Sequence, residues 1–349
     1  MRLSQAATVC IVSLLVLGAC TPRRPGDVST VPLAKELEVS GDAVDPEGTQ
    51  FQYAYPVAYF YLDNKLQPLR MAYLDVAPKQ NANGRSVLLL HGKNFNASSW
   101  ATTIAFLNER GYRVIAPDQI GFGKSSKPTG YQYSFAALAS NTRALLAKLG
   151  IERSLVVGHS MGGMLATRYA LAYPENVEKL VLVNPIGLED YSLLVPYRSV
   201  EAWYNDELKQ TPESIKEYQR NAYYAGDWKP EYDALANMQM RMTKHPEFAR
   251  VAWSSALTYD MILTQPVVPY FSQLNVPTGL IIGTRDRTAL GKAFAKPEVA
   301  SKMGDYTQLG KHTRDAIPGA QLIEIEGAGH IPQVEAFDRF KEALLQLLQ

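Results

Sequence analysis

Apolar positions along this chain fall into two rhythms. Short apolar runs recur at residues 86–90, 113–116, 155–157, 179–183, 278–283 and 321–325. Runs of that length with aliphatic residues on consecutive positions predict strands buried on both faces, because successive side chains point to opposite sides of a sheet. Between them lie longer stretches of helical pattern at 100–110, 135–149 and 161–173, and Pro332 opens a last one. This alternation predicts an α/β fold with a mostly parallel sheet covered on both faces. Ahead of it, residues 57–62 and 69–76 flank the turn Asp63-Asn64-Lys65 and predict an antiparallel hairpin. From 186 to 273 the rhythm breaks. That stretch is helical in composition and crowded with Tyr197, Trp203, Tyr204, Tyr223, Tyr224, Trp228, Met238, Met240, Met242 and Trp253. It predicts a helical insert with its own small core, presenting an apolar roof to any pocket beneath it.

The first fifty residues follow neither rhythm. Arg2 leads into an apolar run, 6–17, too short to span a bilayer, which ends in Leu17-Gly18-Ala19-Cys20. That tetrapeptide resembles the lipobox of bacterial lipoproteins. The resemblance implies a signal peptide over residues 1–19, cleavage before Cys20 and lipid on Cys20. It further implies an anchor at the periplasmic face of a membrane, the outer one in a Gram-negative host, since Thr21 rather than aspartate follows the cysteine. Cys10 would leave with the leader, so no internal disulfide is expected even in an oxidising compartment. Residues 20–50 are rich in Pro, Gly, Asp and Glu and predict a flexible tether.

Candidate chemistry concentrates after the run 155–157. Val156-Val157-Gly158-His159-Ser160-Met161-Gly162-Gly163 reads as a buried strand turning at once into a helix. A serine on so tight a turn leaves no room for side chains two residues to either side, hence Gly158 and Gly162. The turn lifts the Ser160 hydroxyl out of the sheet. The helix start aims free N–H groups at the site, where they favour developing negative charge. Ser160 is the candidate nucleophile, and it needs a base. Of the five histidines, His91 and His159 sit inside other motifs, His245 lies in the irregular middle region, and His312 in the charged run Lys311-His312-Thr313-Arg314. His330 remains, on a glycine-broken loop after the run 321–325.

Four motifs in order carry a resemblance to the α/β-hydrolase superfamily: Leu90-His91-Gly92, then Pro117-Asp118-Gln119-Ile120-Gly121-Phe122-Gly123-Lys124-Ser125, then Gly158 to Gly162, then Gly329-His330. The resemblance implies the α/β-hydrolase fold, with an N-terminal antiparallel hairpin, a core over 51–185 and 274–349, and a helical cap over 186–273. In that family the acid and then the histidine follow the serine. This order implies Asp286, in Gly283-Thr284-Arg285-Asp286, as the carboxylate that orients His330. Asp305 and Asp315 are weaker rivals. Some relatives hold the acid one strand earlier, where this chain has the uncharged Asn184. Arg285 and Arg287 flank Asp286 either as solvated charges or as competitors for its carboxylate. The oxyanion donors implied are the backbone N–H groups of Met161 and of Lys93, the residue after His91-Gly92. The Lys93 and Asn94 side chains are expected at the pocket mouth or in solvent. Gly123-Lys124-Ser125 spells the end of a phosphate-binding loop, but Asp118 stands where that motif needs glycine, and Lys127-Pro128 where it needs a helix.

Composition narrows the function classes. Loss of Arg2 with the leader leaves 34 basic against 34 acidic residues and no basic run, which gives no support for nucleic-acid binding. No Cys/His or HExxH spacing suggests a metal, and no cofactor is expected. The expected activity is hydrolysis of a carboxylic ester or lactone, small to medium and fairly apolar, through Ser160, His330 and Asp286 and an acyl-enzyme. Serine at position 160 argues against the alkyl-enzyme chemistry of haloalkane dehalogenases and epoxide hydrolases. An acyltransferase or perhydrolase using the same residues, and a non-catalytic binding protein, are the alternatives. The oligomeric state is open.

Overall fold

The structure, a computed structural model, describes residues 41–63 and 67–349. The expected leader, Cys20 and most of the tether lie outside the described residues, as does part of the hairpin turn. Eight strands form one sheet in the order β1-β2-β4-β3-β5-β6-β7-β8. They are β1 (Val57–Leu62), β2 (Leu69–Val76), β3 (Ser86–Leu90), β4 (Arg113–Pro117), β5 (Ser154–His159), β6 (Val177–Val183), β7 (Thr278–Gly283) and β8 (Gln321–Ile325). β1 with β2, and β2 with β4, pair antiparallel; the other neighbours are parallel. Helices α1 (Ala101–Glu109), α2 (Phe135–Lys148) and α3 (Met161–Ala172) follow β3, β4 and β5. Between β6 and β7 come α4 (Tyr191–Leu194), α5 (Val200–Glu207), α6 (Pro212–Tyr224), α7 (Asp233–Met242) and α8 (Phe248–Thr264). Then α9 (Pro297–Ala300) and α10 (Tyr306–Ala316) precede β8, and α11 (Pro332–Glu335) and α12 (Phe337–Leu348) close the chain.

Strand parity divides the core. Leu88 and Leu90, Leu180 and Leu182, Leu280 and Ile282 join one apolar cluster with residues of α2, α3 and the cap. Val87 and Leu89, Val181 and Val183, and Ile281 join the cluster on the opposite face, beneath α1 and α12. Two covered faces require apolar residues at every strand position, which is why these strands read as unbroken runs. α12 supplies Phe340, Ala343, Leu344, Leu347 and Leu348, all buried and spaced for one helical face.

The folded domain begins earlier than the sequence suggests. Val44, within the expected tether, is buried with Met238 and Met242 of α7, and Phe51 and Tyr53 pack beside them. The Val44 N–H donates to the Arg241 carbonyl at 3.2 Å, and Glu47 pairs with Arg250 at 2.7 Å. A single buried valine among proline, glycine and acidic residues leaves no periodic trace, so composition alone extends the tether too far. Nearby, the loop that resembles a phosphate-binding motif wraps around a protein carboxylate. Asp118 accepts from Lys124 N–H at 2.7 Å, Ala97 N–H at 2.6 Å and the Tyr53 hydroxyl at 2.8 Å.

Candidate active site

Ser160 stands between β5 and α3 with φ 56° and ψ −123°. Such backbone persists at a non-glycine residue only when its surroundings over-determine it. Here the Ser160 N–H donates to the Val183 carbonyl at 3.2 Å, while its own carbonyl accepts from Gly163 at 2.8 Å and Ile186 at 3.2 Å. A Cβ on Gly158 would lie 2.2 Å from the Gly162 carbonyl oxygen, and one on Gly162 would lie 2.2 Å from that of Leu90. Backbone packs on backbone at both points, so both glycines are obligatory.

His330 bridges two partners. Its Nδ1 lies 2.7 Å from Asp286 Oδ2 and its Nε2 lies 2.9 Å from Ser160 Oγ. All three residues are buried. A carboxylate only accepts, so Nδ1 carries the ring proton and Nε2 accepts from the serine hydroxyl. The second Asp286 oxygen accepts from Thr288 N–H at 2.8 Å. Neither flanking arginine takes this carboxylate. Arg285 pairs with Glu335, and Arg287 donates to the carbonyls of Thr284 and Asp286 at 3.1 and 2.6 Å. Asp305 bonds the Thr307 hydroxyl at 2.6 Å and Asp315 pairs with Arg314 at 2.7 Å, both away from the imidazole.

Three supporting residues escape sequence reasoning. Asn184, at the end of β6, donates from Nδ2 to Asp286 Oδ2 at 2.9 Å and accepts from Gly283 N–H at 2.8 Å. Lack of charge suits it to clamp the acid. His159 Nε2 lies 2.8 Å from the His330 carbonyl. Burial, and then the neighbouring His330, hold the His159 ring well below its ordinary pKa. As a neutral ring it donates to that carbonyl and ties the base loop to the elbow. From the cap, the Tyr223 carbonyl accepts the His330 N–H at 3.2 Å, and the Tyr223 ring stacks on the imidazole at 4.7 Å and 26°. Asn184 could have been found by asking what its strand end faces across the sheet; the contacts of Tyr223 have no local signature.

The α/β-hydrolase family model matches residues 85–337. The chain belongs to the α/β-hydrolase family. Lipase 1 of Psychrobacter immobilis is 31% identical over 272 residues, 75% of this chain and 76% of that protein. Lipase 3 of a Moraxella species is 28% identical over 264 residues, 74% and 76% of the two. The crystal structure of a probable hydrolytic enzyme from Pseudomonas aeruginosa PAO1 shares 56% identity and a TM-score of 0.86, covering 88% of this chain and 98% of that one.

In this α/β-hydrolase the space over Ser160 is a half-open cavity of about 30 Å³, lined by Lys93, Asn94, Ile186, Tyr218, Tyr223, Tyr259, Thr288, Ala289 and Leu290. Three phenols and an ammonium line this cavity, while apolar cap residues, Ile215, Leu235, Met238, Met242, Phe248 and Val251, line a neighbouring one of about 70 Å³. Most other cap aromatics pack on one another, as Tyr224 does on Tyr232 at 3.9 Å. Lys93 and Asn94, expected at the pocket mouth or in solvent, are partly exposed and line the cavity over Ser160. Lys93 Nζ donates to Ser255 Oγ at 2.6 Å, and Asn94 Nδ2 to the Tyr223 hydroxyl at 2.8 Å. A groove of about 680 Å³ shares Tyr218, Tyr259 and residues 288–290 with the cavity and opens it outward. The loop after β3 runs against the nucleophile, since a Cβ on Gly92 would lie 2.9 Å from Ser160 Cβ. Among the described residues, no group of three or more His, Cys, Asp or Glu side chains could hold a metal. No helix among them is long and apolar enough to cross a membrane.

Proposed function

We propose that this chain is a serine hydrolase of lipase and esterase type that cleaves carboxylic esters or lactones with short acyl groups. The observation that carries the reading is the hydrogen-bonded series Asp286–His330–Ser160. His330 Nε2 takes the hydroxyl proton as Ser160 attacks the carbonyl, and Asp286 stabilises the imidazolium. The N–H groups of Met161, at the start of α3, and Lys93 hold the oxyanion; one such donor is worth on the order of 10²–10³ in rate. His330 then protonates the leaving group, which departs by the groove, and activates a water that releases the acid. The small cavity supports a short acyl group, and the named lipases among the relatives support ester chemistry. A fluorophosphonate probe tests the assignment: it should label Ser160 and leave the Ser160→Ala variant unlabelled. Equal labelling of both would transfer the role to another serine.

From the lipobox-like Leu17-Gly18-Ala19-Cys20 we also propose that the chain is exported and anchored through lipid on Cys20. Intact-mass measurement of the mature protein should find cleavage before Cys20 and acyl chains on it. An unmodified N-terminus would remove the anchor from the proposal.

A further inference from the structure

Two lysines line the cavities near Ser160, Lys127 buried and Lys93 partly exposed, and they are held differently. Lys127 Nζ donates to the carbonyls of Gly123 and Ser125 at 2.7 and 3.2 Å, so its ammonium knits its own loop together. Lys93 Nζ has the Ser255 hydroxyl and, 3.5 Å away, the face of the Tyr259 ring. Three N–H donors on an ammonium exceed those acceptors. Among the described residues no carboxylate forms an ion pair with it. Glu207, the carboxylate that acts on it most, does so from beyond ion-pair range. Burial pushes Lys93 down to about 8, which leaves it mostly protonated at neutral pH. An ammonium even partly withdrawn from water without an anion carries a cost, and an apolar side chain of the same length would line this wall at less. The charge is kept where it faces the nucleophile.

Its position also says which part of a substrate it meets. Lys93 lines the cavity over Ser160 and an inner cavity of about 70 Å³, but not the outward groove. A leaving group departs by the groove, so the acyl group occupies the Lys93 side. The groups facing Lys93 are Glu207 of α5, Tyr218 and Tyr223 of α6, Ser255 and Tyr259 of α8, and Asn94 on its own loop. The Tyr223 and Tyr259 phenols are pushed above their ordinary range, chiefly by burial, and stay neutral, as does the half-exposed Tyr218 at neutral pH. Lys93 is then the cation of the cavity over Ser160, while in the neighbouring cavity Lys127 adds a second cation and Glu207 the opposing charge.

We infer that Lys93 forms an anion-binding subsite on the acyl side of the cavity, and that the favoured substrates are esters whose short acyl chain ends in a carboxylate. This rests on the ester-hydrolase reading and names its substrate class. The subsite discriminates by giving the carboxylate a partly buried ammonium with no anion of its own, whereas a neutral chain leaves that ammonium unpaired.

Monophenyl glutarate and phenyl pentanoate are a matched pair for the test. The enzyme should favour the glutarate by about tenfold or more in kcat/KM, mostly through KM. Lys93→Met keeps the backbone N–H and the side-chain length, so the ratio between the two esters isolates the charge; it should collapse to near unity. Glu207→Gln, which removes the opposing charge, should raise the ratio. The ratio should also fall as pH rises through about 8, where Lys93 loses its proton. Binding of glutarate to Ser160→Ala, followed by calorimetry, gives a readout without turnover and should vanish when Lys93→Met is added. A preference for the pentanoate, or a ratio unmoved by Lys93→Met, overturns the subsite and leaves ester hydrolysis standing. Absence of hydrolysis of both esters and of probe labelling overturns the ester reading, and glutarate calorimetry then decides the subsite by itself.

Discussion

The floor and the roof of this cavity are built on different terms. The floor consists of strand ends and their loops: Ser160 after β5, Asn184 after β6, Asp286 after β7 and His330 after β8, joined by hydrogen bonds of 2.7 to 2.9 Å. The roof is side chains from a helical insert. Tyr218 and Tyr223 of α6 and Tyr259 of α8 meet Lys93 and Asn94, which reach up from the core. Parallel strands held by a continuous ladder leave their ends in one fixed row, so the floor can hold reacting atoms to fractions of an ångström. Cap helices are positioned by their contacts, so their side chains can change with little effect on the sheet. Under the proposed function, the floor sets the reaction and the roof selects what reacts.

Substitutions can break or sharpen that division. Ser160→Ala should reduce ester turnover by roughly 10⁴-fold or more with the fold intact. Asp286→Asn should cost on the order of 10³–10⁴ in kcat because the imidazole takes the wrong tautomer, with circular dichroism unchanged. Asp305→Asn and Asp315→Asn should leave turnover near its starting value, and a large loss in either would reassign the acid. In the Asp286→Asn background, Asn184→Asp should recover activity by about tenfold, since it sets a carboxylate beside the lost one on the same row. No recovery would mean that Asn184 only braces. Tyr223→Leu removes the ring stacked on His330 but keeps the backbone carbonyl, so kcat should fall roughly three- to tenfold. A fall as large as that from Asp286→Asn would erase the distinction between floor and roof. The smallest effect on turnover is expected from Met238→Ala, which should lower stability by about 2–3 kcal/mol through the cavity left beside Val44. Thermal or denaturant unfolding checks it.

The floor was legible in the sequence because its constraints are local. Gly158 and Gly162 mark places where backbone meets backbone, and unbroken apolar runs mark strands covered on both faces. Ser160, Asp286 and His330 each follow such a run, so position in the chain predicted position at the sheet edge. The packing of residues 41–53 and the orientation of Lys93 left no such mark.

By itself the chain therefore determined the order of strands and helices, the strained serine turn and which ionisable residues end up at strand ends. These depend on hydrogen bonding and burial within a few residues of each position. Tertiary structure alone decided that Asn184 clamps Asp286, that His159 ties down the His330 loop, and that the arginines beside Asp286 turn elsewhere. It alone decided that phenols and an ammonium line the cavity over Ser160. The contacts of Asn184 with Asp286, His159 with His330 and Lys93 with Ser255 join residues between about 100 and 170 positions apart, and Arg285 reaches Glu335 across 50. Partners that distant are chosen by how the sheet and cap pack together, and no periodicity along the chain encodes the choice.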